Sequence, residues 1–188
     1  MNFPPIILAS KSPRRQELLT LLGLTFRVVL KEVDESYPEG LSPEEVAVYI
    51  AEKKAKAFDD DTAGEVVITA DTLVVVDDQI LGKPNDAVHA FEILSLLSGR
   101  THEVITGVCI LKDHSLHSFY EKSEVHFKPL TPEQIQYYIA SGQPMDKAGA
   151  YGIQEWIGLI GIEKIVGSYT NVVGLPTHRL FEELTRLF

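Results

Sequence analysis

The spacing of apolar residues divides the chain into segments of two kinds. Short runs rich in β-branched residues predict strands, and apolar residues that recur every three or four positions predict helices. Strands are predicted at residues 5–9, 26–31, 66–70, 72–76, 80–81, 103–111 and 116–127. Helices are predicted at residues 13–22, 43–58, 86–97, 132–140 and from about 176 to 188.

The order of these segments predicts an α/β fold with three layers and a mixed central sheet. Strands and helices alternate over most of the chain, and residues 103–127 form an antiparallel pair around a polar turn. The nearly unbroken β-branched run at 66–76 is typical of a strand at the centre of such a sheet. No linker-like composition interrupts the pattern, so residues 1–188 are expected to form one domain.

Composition narrows the classes of function. The net charge of −10 argues against a nucleic-acid partner, which needs a basic surface, but leaves room for a small anionic ligand. No apolar stretch reaches the roughly 18 residues of a membrane span. The opening MNFPPIILAS has no basic leader, so neither a membrane anchor nor a signal peptide is expected. The single cysteine, Cys109, is predicted to be a core residue, and a chain without an internal disulfide fits the cytoplasm.

One predicted helix begins with charges of the wrong sign for their position. The segments SPEE (42–45) and TPEQ (131–134) are capping boxes, with a hydroxyl N-cap, a proline and an acid or amide at the third helical position. The segment SPRR (12–15) keeps the hydroxyl and the proline but places Arg14 and Arg15 in the first turn. Cations there oppose the helix dipole at a cost of roughly 0.3–1 kcal/mol each, which indicates that they serve another purpose.

The segment from Ser10 to Arg15 carries the groups of an anion site. It joins a predicted strand to a predicted helix, which is where α/β folds bind phosphate groups. Its hydroxyls, backbone N–H groups and guanidinium groups suit a phosphate chain. The arginines alone are equally compatible with pairing to Glu17 and other acids. No GxxxxGK[ST] motif occurs, which disfavours a P-loop nucleotide hydrolase.

Asp71 lies within the apolar run VVITADTLVVV. An ionised carboxylate in such a strand costs several kcal/mol unless it is paired, hydrogen-bonded or bound to a metal. Asp71 is therefore a candidate general base, or alternatively a carboxylate that caps a bend at the end of a strand. Thr72 is expected to point to the opposite face of the strand unless a bulge intervenes.

Other polar residues are ambiguous when they are taken singly. Lys54 lies on a predicted helix and Lys83 in LGKP, and a lysine in either place is commonly solvated. Glu35 is typical of a surface loop, although carboxylate oxygens there also suit Mg²⁺. The segment DKAGAYGIQ (146–154) is either a glycine-rich connector or a close approach to a ligand, with Gln154 offering an amide to a base edge. No HExxH, CxxC or GxSxG motif supports zinc or serine hydrolysis.

The chain resembles the Maf family of nucleotide pyrophosphatases in five segments, which occur in the family's order: ASKSPRRQELL, ADT followed by GKP, LSGRTHEVITGV, DKAGAYGIQ and GSYTNVVGLP. The resemblance runs from about residue 7 to the final helix. It implies an inosine-triphosphatase-like fold with a cleft between two lobes, usually in a homodimer. It also implies metal-dependent cleavage of a nucleoside triphosphate between the α- and β-phosphates.

The resemblance further implies roles for particular residues. The form DKAGAYGIQ is similar to the subgroup acting on dTTP and UTP, whereas the subgroup acting on 7-methyl-GTP differs there. Asp71 matches the family's proton acceptor, and Glu35 joins it in the implied site for Mg²⁺ or Mn²⁺. Substrate contacts are implied for seven residues: Ser10, Arg14, Arg15, Lys54, Thr72, Lys83 and Gln154. Among these, Arg14, Thr72 and Gln154 match positions tied to substrate choice.

The predicted function is hydrolysis of dTTP and UTP, together with modified pyrimidine nucleotides, to the monophosphate and pyrophosphate. One alternative is the same chemistry on another base or on a modified nucleotide such as 7-methyl-GTP. Another is a nucleotide-binding regulator of cell division and septum formation, processes with which the family has been linked. A purely structural dimer leaves Asp71 and the two arginines unexplained. Asp71 separates these hypotheses, because a module that only binds a triphosphate gains nothing from a costly carboxylate beside it.

Overall fold

The described part of the chain, residues 3–58 and 64–188 of a computed structural model, alternates between strands and helices. The strands are β1 (Ile6–Leu8), β2 (Phe26–Val28), β3 (Val66–Val76), β4 (Gln79–Leu81), β5 (Thr101–Lys112), β6 (Ser115–Phe127) and β7 (Ile162–Val166). The α-helices are α1 (Pro13–Leu21), α2 (Pro43–Lys56), α3 (Ala87–Leu97), α4 (Pro132–Ala140), α5 (Trp156–Gly161), α6 (Tyr169–Val173) and α7 (Thr177–Leu187). Two short 3₁₀ turns, Gln143–Asp146 and Ala148–Ala150, follow α4.

The strands form a seven-stranded sheet in the order β2-β1-β3-β5-β6-β7, with β4 pairing β3. Strand β1 runs parallel to both β2 and β3. Strand β4 runs antiparallel to β3, and β7 runs antiparallel to β6. The sheet is therefore mixed, as predicted, and the α/β class is confirmed.

The described chain separates into two compact units. The first holds the described residues up to Thr72, with Thr106–Glu121 and Gly174–Phe188. The second holds Leu73–Ile105 and Lys122–Val173. The long strands β3, β5 and β6 contribute residues to both units. The single domain over residues 1–188 stays a prediction.

The core of the first unit lies between α2 and the strands that it covers. Ala51, Ala55 and Phe58 pack with Ile7 of β1, and with Val67, Cys109 and Leu111 of β3 and β5. Cys109 is thus a core residue, as predicted, and burial raises the pKa of its thiol to about 11. Small residues on α2 allow its backbone to approach β5 closely. A Cβ added at Gly107 would lie 2.3 Å from the carbonyl carbon and oxygen of Ala47.

The core of the second unit is built on α3. Its buried residues Ala90, Ile93, Leu94 and Leu97 follow the spacing of one helix face. Helix α3 contacts α4 and both 3₁₀ turns. The 3₁₀ turns that lead to Gln154 are therefore packed against α3.

Several segments differ from the predictions. The strand predicted at 26–31 ends at Val28, since β2 has a partner only on one side and its residues are half-buried or exposed. The two strands predicted at 66–76 are one continuous strand, β3. Helices α5 and α6 and strand β7 were not predicted, because their five or six residues are too few for a periodic signal.

Helix ends agree closely with the sequence. The capping boxes of Ser42 and Thr131 are both present. In α1 the Ser12 hydroxyl accepts a hydrogen bond from the Arg15 backbone N–H, and the first turn holds no acid. Among the described residues no helix is long and apolar enough to cross a membrane.

Candidate active site

Two neighbouring residues interrupt the burial of β3. Nine of its eleven residues are buried, and only Asp71 and Thr72 are partly exposed. Both are polar, whereas the other polar residue of the strand, Thr69, is buried and its hydroxyl donates to the Ala51 carbonyl oxygen at 2.6 Å. The bend-capping alternative for Asp71 does not hold, because β3 continues unbroken to Val76.

Asp71 is paired with Lys54 of α2. The Lys54 Nζ lies 2.8 Å from Asp71 Oδ1 and 2.9 Å from Glu35 Oε1. The Lys54 and Asp71 side chains are 18% and 15% exposed, whereas Glu35 is 57% exposed. The partly buried carboxylate is therefore compensated by an ammonium group, and a second carboxylate reaches the same atom from the loop before α2.

The adjacent lysine on α2 has a different set of partners. Lys53 Nζ donates to Asp34 Oδ2 at 3.1 Å and to the Ser36 carbonyl oxygen at 3.0 Å. Consecutive residues on a helix point in different directions, so only Lys54 reaches β3. Hydrogen bonds from Ser36, followed by the one from Lys53, lower the pKa of Asp34 to about 2.

Arg15 braces the chain on both sides of Asp71. Its Nη1 donates to the Ala70 carbonyl oxygen at 2.8 Å, and its Nη2 donates to Thr72 Oγ1 at 3.0 Å. Its Nε donates to the Gly174 carbonyl oxygen at 2.8 Å, which ties the turn before α7 to β3. Desolvation lowers the pKa of Arg15, and the negative charge of Asp71 acts in the opposite direction.

The start of α1 supplies the other predicted groups of the first unit. Ser10 is buried, and its hydroxyl accepts from the Ser12 backbone N–H at 3.2 Å and from Arg15 Nη1 at 3.4 Å. Arg14 lies beside Arg15 in the first turn, and its charge contributes to the lowered pKa of Arg15. Seven predicted residues thus belong to one unit: Ser10, Arg14, Arg15, Glu35, Lys54, Asp71 and Thr72.

Sequence reasoning missed two partners of this cluster. Thr106 of β5 lies with its hydroxyl 3.0 Å from that of Thr72, and the Gly174 carbonyl oxygen accepts from Arg15. Thr106 lies in the motif LSGRTHEVITGV and Gly174 in GSYTNVVGLP. The motifs are signals for these residues, but their pairing with Arg15 and Thr72 is visible only in three dimensions.

The remaining two predicted residues belong to the second unit. Lys83 follows β4 and is exposed, and Gln154 lies exposed in the loop before α5. The segments that carry them are joined, because the Gly149 backbone N–H donates to the Gly82 carbonyl oxygen at 3.1 Å. Gly149 has a φ of 69°, and a Cβ there would lie 2.8 Å from Val74, so glycine is required at this contact.

The donor set for a metal ion is small. Among the described residues no group of three or more His, Cys, Asp or Glu side chains is placed to hold a metal. Glu35 and Asp71 nevertheless converge on one cationic atom, the Lys54 Nζ. Paired carboxylate oxygens around a positive charge fit a hard divalent cation that takes its other ligands from elsewhere.

Comparison with known proteins places this chain in a family. A family model described as Maf-like protein matches residues 5–187. A dTTP/UTP pyrophosphatase from Phocaeicola vulgatus is 50% identical over 184 residues, which are 97% of this chain and 95% of that protein. The protein of the same name from Flavobacterium psychrophilum is 51% identical over 177 residues, 94% of this chain and 91% of that one.

Solved structures with the same fold are more distant in sequence. The Staphylococcus aureus Ham1 protein superposes with a TM-score of 0.51 at 16% identity, over 95% of this chain and 99% of that one. A HAM1 protein from Coxiella burnetii gives a TM-score of 0.50 at 16% identity, over 97% and 98% of the two chains. These similarities concern the fold alone and agree with the inosine-triphosphatase-like fold that the family resemblance implies. Because the family model covers nearly the whole chain and relatives share about half its residues, the chain belongs to the Maf-like protein family.

Proposed function

We propose that this protein hydrolyses dTTP and UTP to the nucleoside monophosphate and pyrophosphate. The relatives at about 50% identity carry the name dTTP/UTP pyrophosphatase. The observation that carries the proposal is the partly exposed Asp71 in a buried strand, paired with Lys54 and braced on both sides by Arg15. Because a carboxylate in a buried strand costs free energy, its presence there favours a catalytic role over binding alone.

Asp71 is proposed to be the general base. Its carboxylate accepts a proton from water as the water oxygen forms a bond to the α-phosphorus. The bond between the α-phosphorus and the oxygen that bridges it to the β-phosphate then breaks, and pyrophosphate leaves with the electron pair. Lys54, 2.8 Å from Asp71 Oδ1, holds the carboxylate in place and places a positive charge next to the reacting anion.

Other residues of the first unit are proposed to bind the phosphate chain. The N-terminus of α1 provides backbone N–H groups and a favourable dipole, and Arg14 adds a full positive charge in the same turn. Ser10 and Arg15 are proposed to contribute further contacts to phosphate oxygens. The phosphate contact of Lys83, which belongs to the second unit, stays a prediction. The cations at the start of α1 are thus explained, since the negative charge missing from its first turn comes from the substrate.

Mg²⁺ or Mn²⁺ is the proposed cofactor, with Glu35 and Asp71 as the protein residues that hold it. Both carboxylates already converge on the Lys54 ammonium, so their oxygens are placed to face a cation. A divalent cation supplies charge neutralisation for phosphate oxygens when it is bound. Substrate oxygens and water are proposed as the other ligands, because the described residues provide too few carboxylates for a site of their own.

Base choice is proposed to depend on Gln154, with Arg14 and Thr72. The Gln154 amide offers one donor group and one acceptor to the edge of a pyrimidine. The cleft between lobes, the homodimer, the cytoplasmic location and the absence of a nucleic-acid partner stay predictions.

The substitution Asp71→Asn tests the proposed base. The amide keeps the size of the side chain but cannot accept the proton, so turnover is expected to fall by at least about 100-fold while nucleotide binding persists. Wild-type protein and variant are assayed with dTTP, UTP, purine nucleotides and 7-methyl-GTP, in Mg²⁺ or Mn²⁺, and pyrophosphate and orthophosphate are scored separately.

The control is Asp78→Asn, the same chemical change in the exposed turn between β3 and β4, which is expected to leave turnover unchanged. Full turnover in Asp71→Asn would remove the base assignment. Intact nucleotide binding with no hydrolysis of any nucleotide by the wild-type protein would favour the regulator.

A further inference from the structure

We infer that Lys147, Glu155 and Tyr138 form a clamp that fixes the backbone around Gln154 and thereby sets base choice, an inference that rests on the proposed function. The clamp is defined by these three side chains, all in the second unit. It joins the two ends of the segment from Lys147 to Glu155, which includes most of DKAGAYGIQ.

The centre of the clamp is a buried ion pair. Lys147 Nζ lies 2.9 Å from Glu155 Oε1, and the two side chains are only 7% and 16% exposed. The same ammonium donates to Asp146 Oδ1 at 2.7 Å and to the Gln143 carbonyl oxygen. All three protons of the ammonium therefore have acceptors, which is the condition for a lysine to be held in a buried place.

The third member links the ion pair to α4. The Tyr138 hydroxyl donates to Glu155 Oε2 and accepts from the Gly152 backbone N–H at 3.1 Å. Tyr138 is itself 1% exposed, so it is a fixed point for the loop. Glu155 is bound through both of its carboxylate oxygens, one to Lys147 and one to Tyr138.

Steric contacts tighten the same segment. A Cβ added at Gly152 would lie 2.6 Å from the Glu155 carboxyl carbon, so a larger residue there would displace the carboxylate of the clamp. A Cβ at Gly158 would lie 1.9 Å from the Ile153 carbonyl oxygen, which shows how closely α5 approaches the loop. The residues before and after Gln154 are thus held on both sides.

Gln154 is more exposed than the residues on either side of it. Its side chain is exposed and makes no hydrogen bond with any residue of the described chain, 3–58 and 64–188. A free amide on a fixed backbone is arranged for a ligand, because little backbone freedom is lost when the ligand binds. Its position sets the distance to a base edge, so it favours a pyrimidine over a larger purine.

The substitution Glu155→Gln tests the clamp. It keeps the size of the side chain but removes the charge that holds Lys147, so the loop around Gln154 loosens. The expected result is a fall of about tenfold or more in the ratio of kcat/KM for dTTP to that for dGTP. Equilibrium binding of the same two nucleotides is measured alongside, and its selectivity is expected to fall in parallel.

A double-mutant cycle with Gln154→Ala separates positioning from general damage. If the clamp acts through Gln154, Glu155→Gln has no further effect on selectivity once the amide is gone. An equal loss for both nucleotides, or the same loss of selectivity in the Gln154→Ala background, would overturn the inference.

A milder variant covers the case in which Glu155→Gln does not fold. Tyr138→Phe removes only the hydroxyl between Glu155 and Gly152, and it is expected to shift selectivity in the same direction. The matched control is Tyr137→Phe, the neighbouring tyrosine of α4, which is 65% exposed. A wild-type protein that binds dTTP without hydrolysing it would overturn the proposed function, and the binding selectivities would still decide on the clamp.

Discussion

Arg15, at the start of α1, is bonded to the protein through most of its guanidinium N–H groups. Arg15 uses four N–H groups on acceptors of the protein, the Ala70 and Gly174 carbonyl oxygens and the Thr72 and Ser10 hydroxyls. All four acceptors are uncharged, so Arg15 cross-links the chain around Asp71 as well as carrying charge. Its predicted contact with phosphate stays a prediction.

The substitution Arg15→Lys is expected to destabilise the protein although the charge is kept. Lysine cannot reach these acceptors together, and each partly buried carbonyl that loses its donor costs about 1–3 kcal/mol. The free energy of unfolding, measured by urea denaturation, is expected to fall by at least that amount. Arg186→Lys, at a 63% exposed position of α7, is the matched control, with an expected change within about 0.5 kcal/mol. Equal losses in the two variants would contradict the cross-linking role.

Helix α2 connects the core of the first unit to its chemistry. Its buried face packs on the sheet through Ala47, Ala51 and Ala55, and its last turn carries Lys54. The helix lies so close to β5 that Gly107 faces the Ala47 backbone directly. Because backbone cannot rotate away as a side chain can, the position of Lys54 depends on this contact.

The substitution Gly107→Ala is expected to displace α2. The added methyl group meets the Ala47 carbonyl at 2.3 Å, an overlap that only a shift of helix or strand relieves. Overpacking of this kind costs about 1–3 kcal/mol or more, and turnover is expected to fall with it as Lys54 moves. Thermal unfolding and the pyrophosphate assay measure the two effects.

Gly82→Ala is the control for this change. Apart from its two chain neighbours, no described residue has an atom within 4 Å of the Cβ position at Gly82, and its φ is not in the left-handed region. Its melting temperature is expected to remain close to that of the wild type. Similar losses in the two variants would show that the close approach at Gly107 has no special cost.

At the scale of the whole molecule, acid stability is expected to depend on a buried histidine. His102 is 1% exposed, and its Nε2 lies 2.7 Å from the Tyr151 hydroxyl. Burial, assisted by the nearby His126, lowers the pKa of His102 from 6.5 to about 3. The folded protein therefore keeps this ring neutral at pH values at which the unfolded chain protonates it.

The free energy of unfolding is accordingly expected to fall as the pH decreases from about 6.5 toward 3. The unfolded chain binds a proton that the folded protein excludes, which contributes a slope of up to about 1.4 kcal/mol per pH unit in that range. His102→Gln is expected to flatten the slope in urea denaturation at pH 4.5, 5.5 and 7. His178→Gln, at an 83% exposed position, is the control and is expected to keep it. Parallel pH profiles for His102→Gln and the wild type would contradict this assignment.

Local features of this protein were determined by the sequence itself. The capping boxes at Ser42 and Thr131 and most strand and helix positions follow from interactions over a few residues, so pattern and residue type are sufficient. The same holds for β3. Its apolar run predicts a strand at the centre of the sheet, and Asp71 is the one charged residue in that run. The family motifs likewise identified which polar residues to consider.

Tertiary structure alone decided how those residues combine. Arg15 donates to the carbonyl oxygen of Gly174, which is 159 residues away in the chain. Lys54, and not Lys53, reaches Asp71 because of the orientation in which α2 packs on β3. The clamp on Gln154 depends in the same way on α4, whose Tyr138 no spacing rule connects to Glu155. Contacts between distant segments depend on how whole elements pack, and that packing is a property of the folded chain rather than of any local pattern.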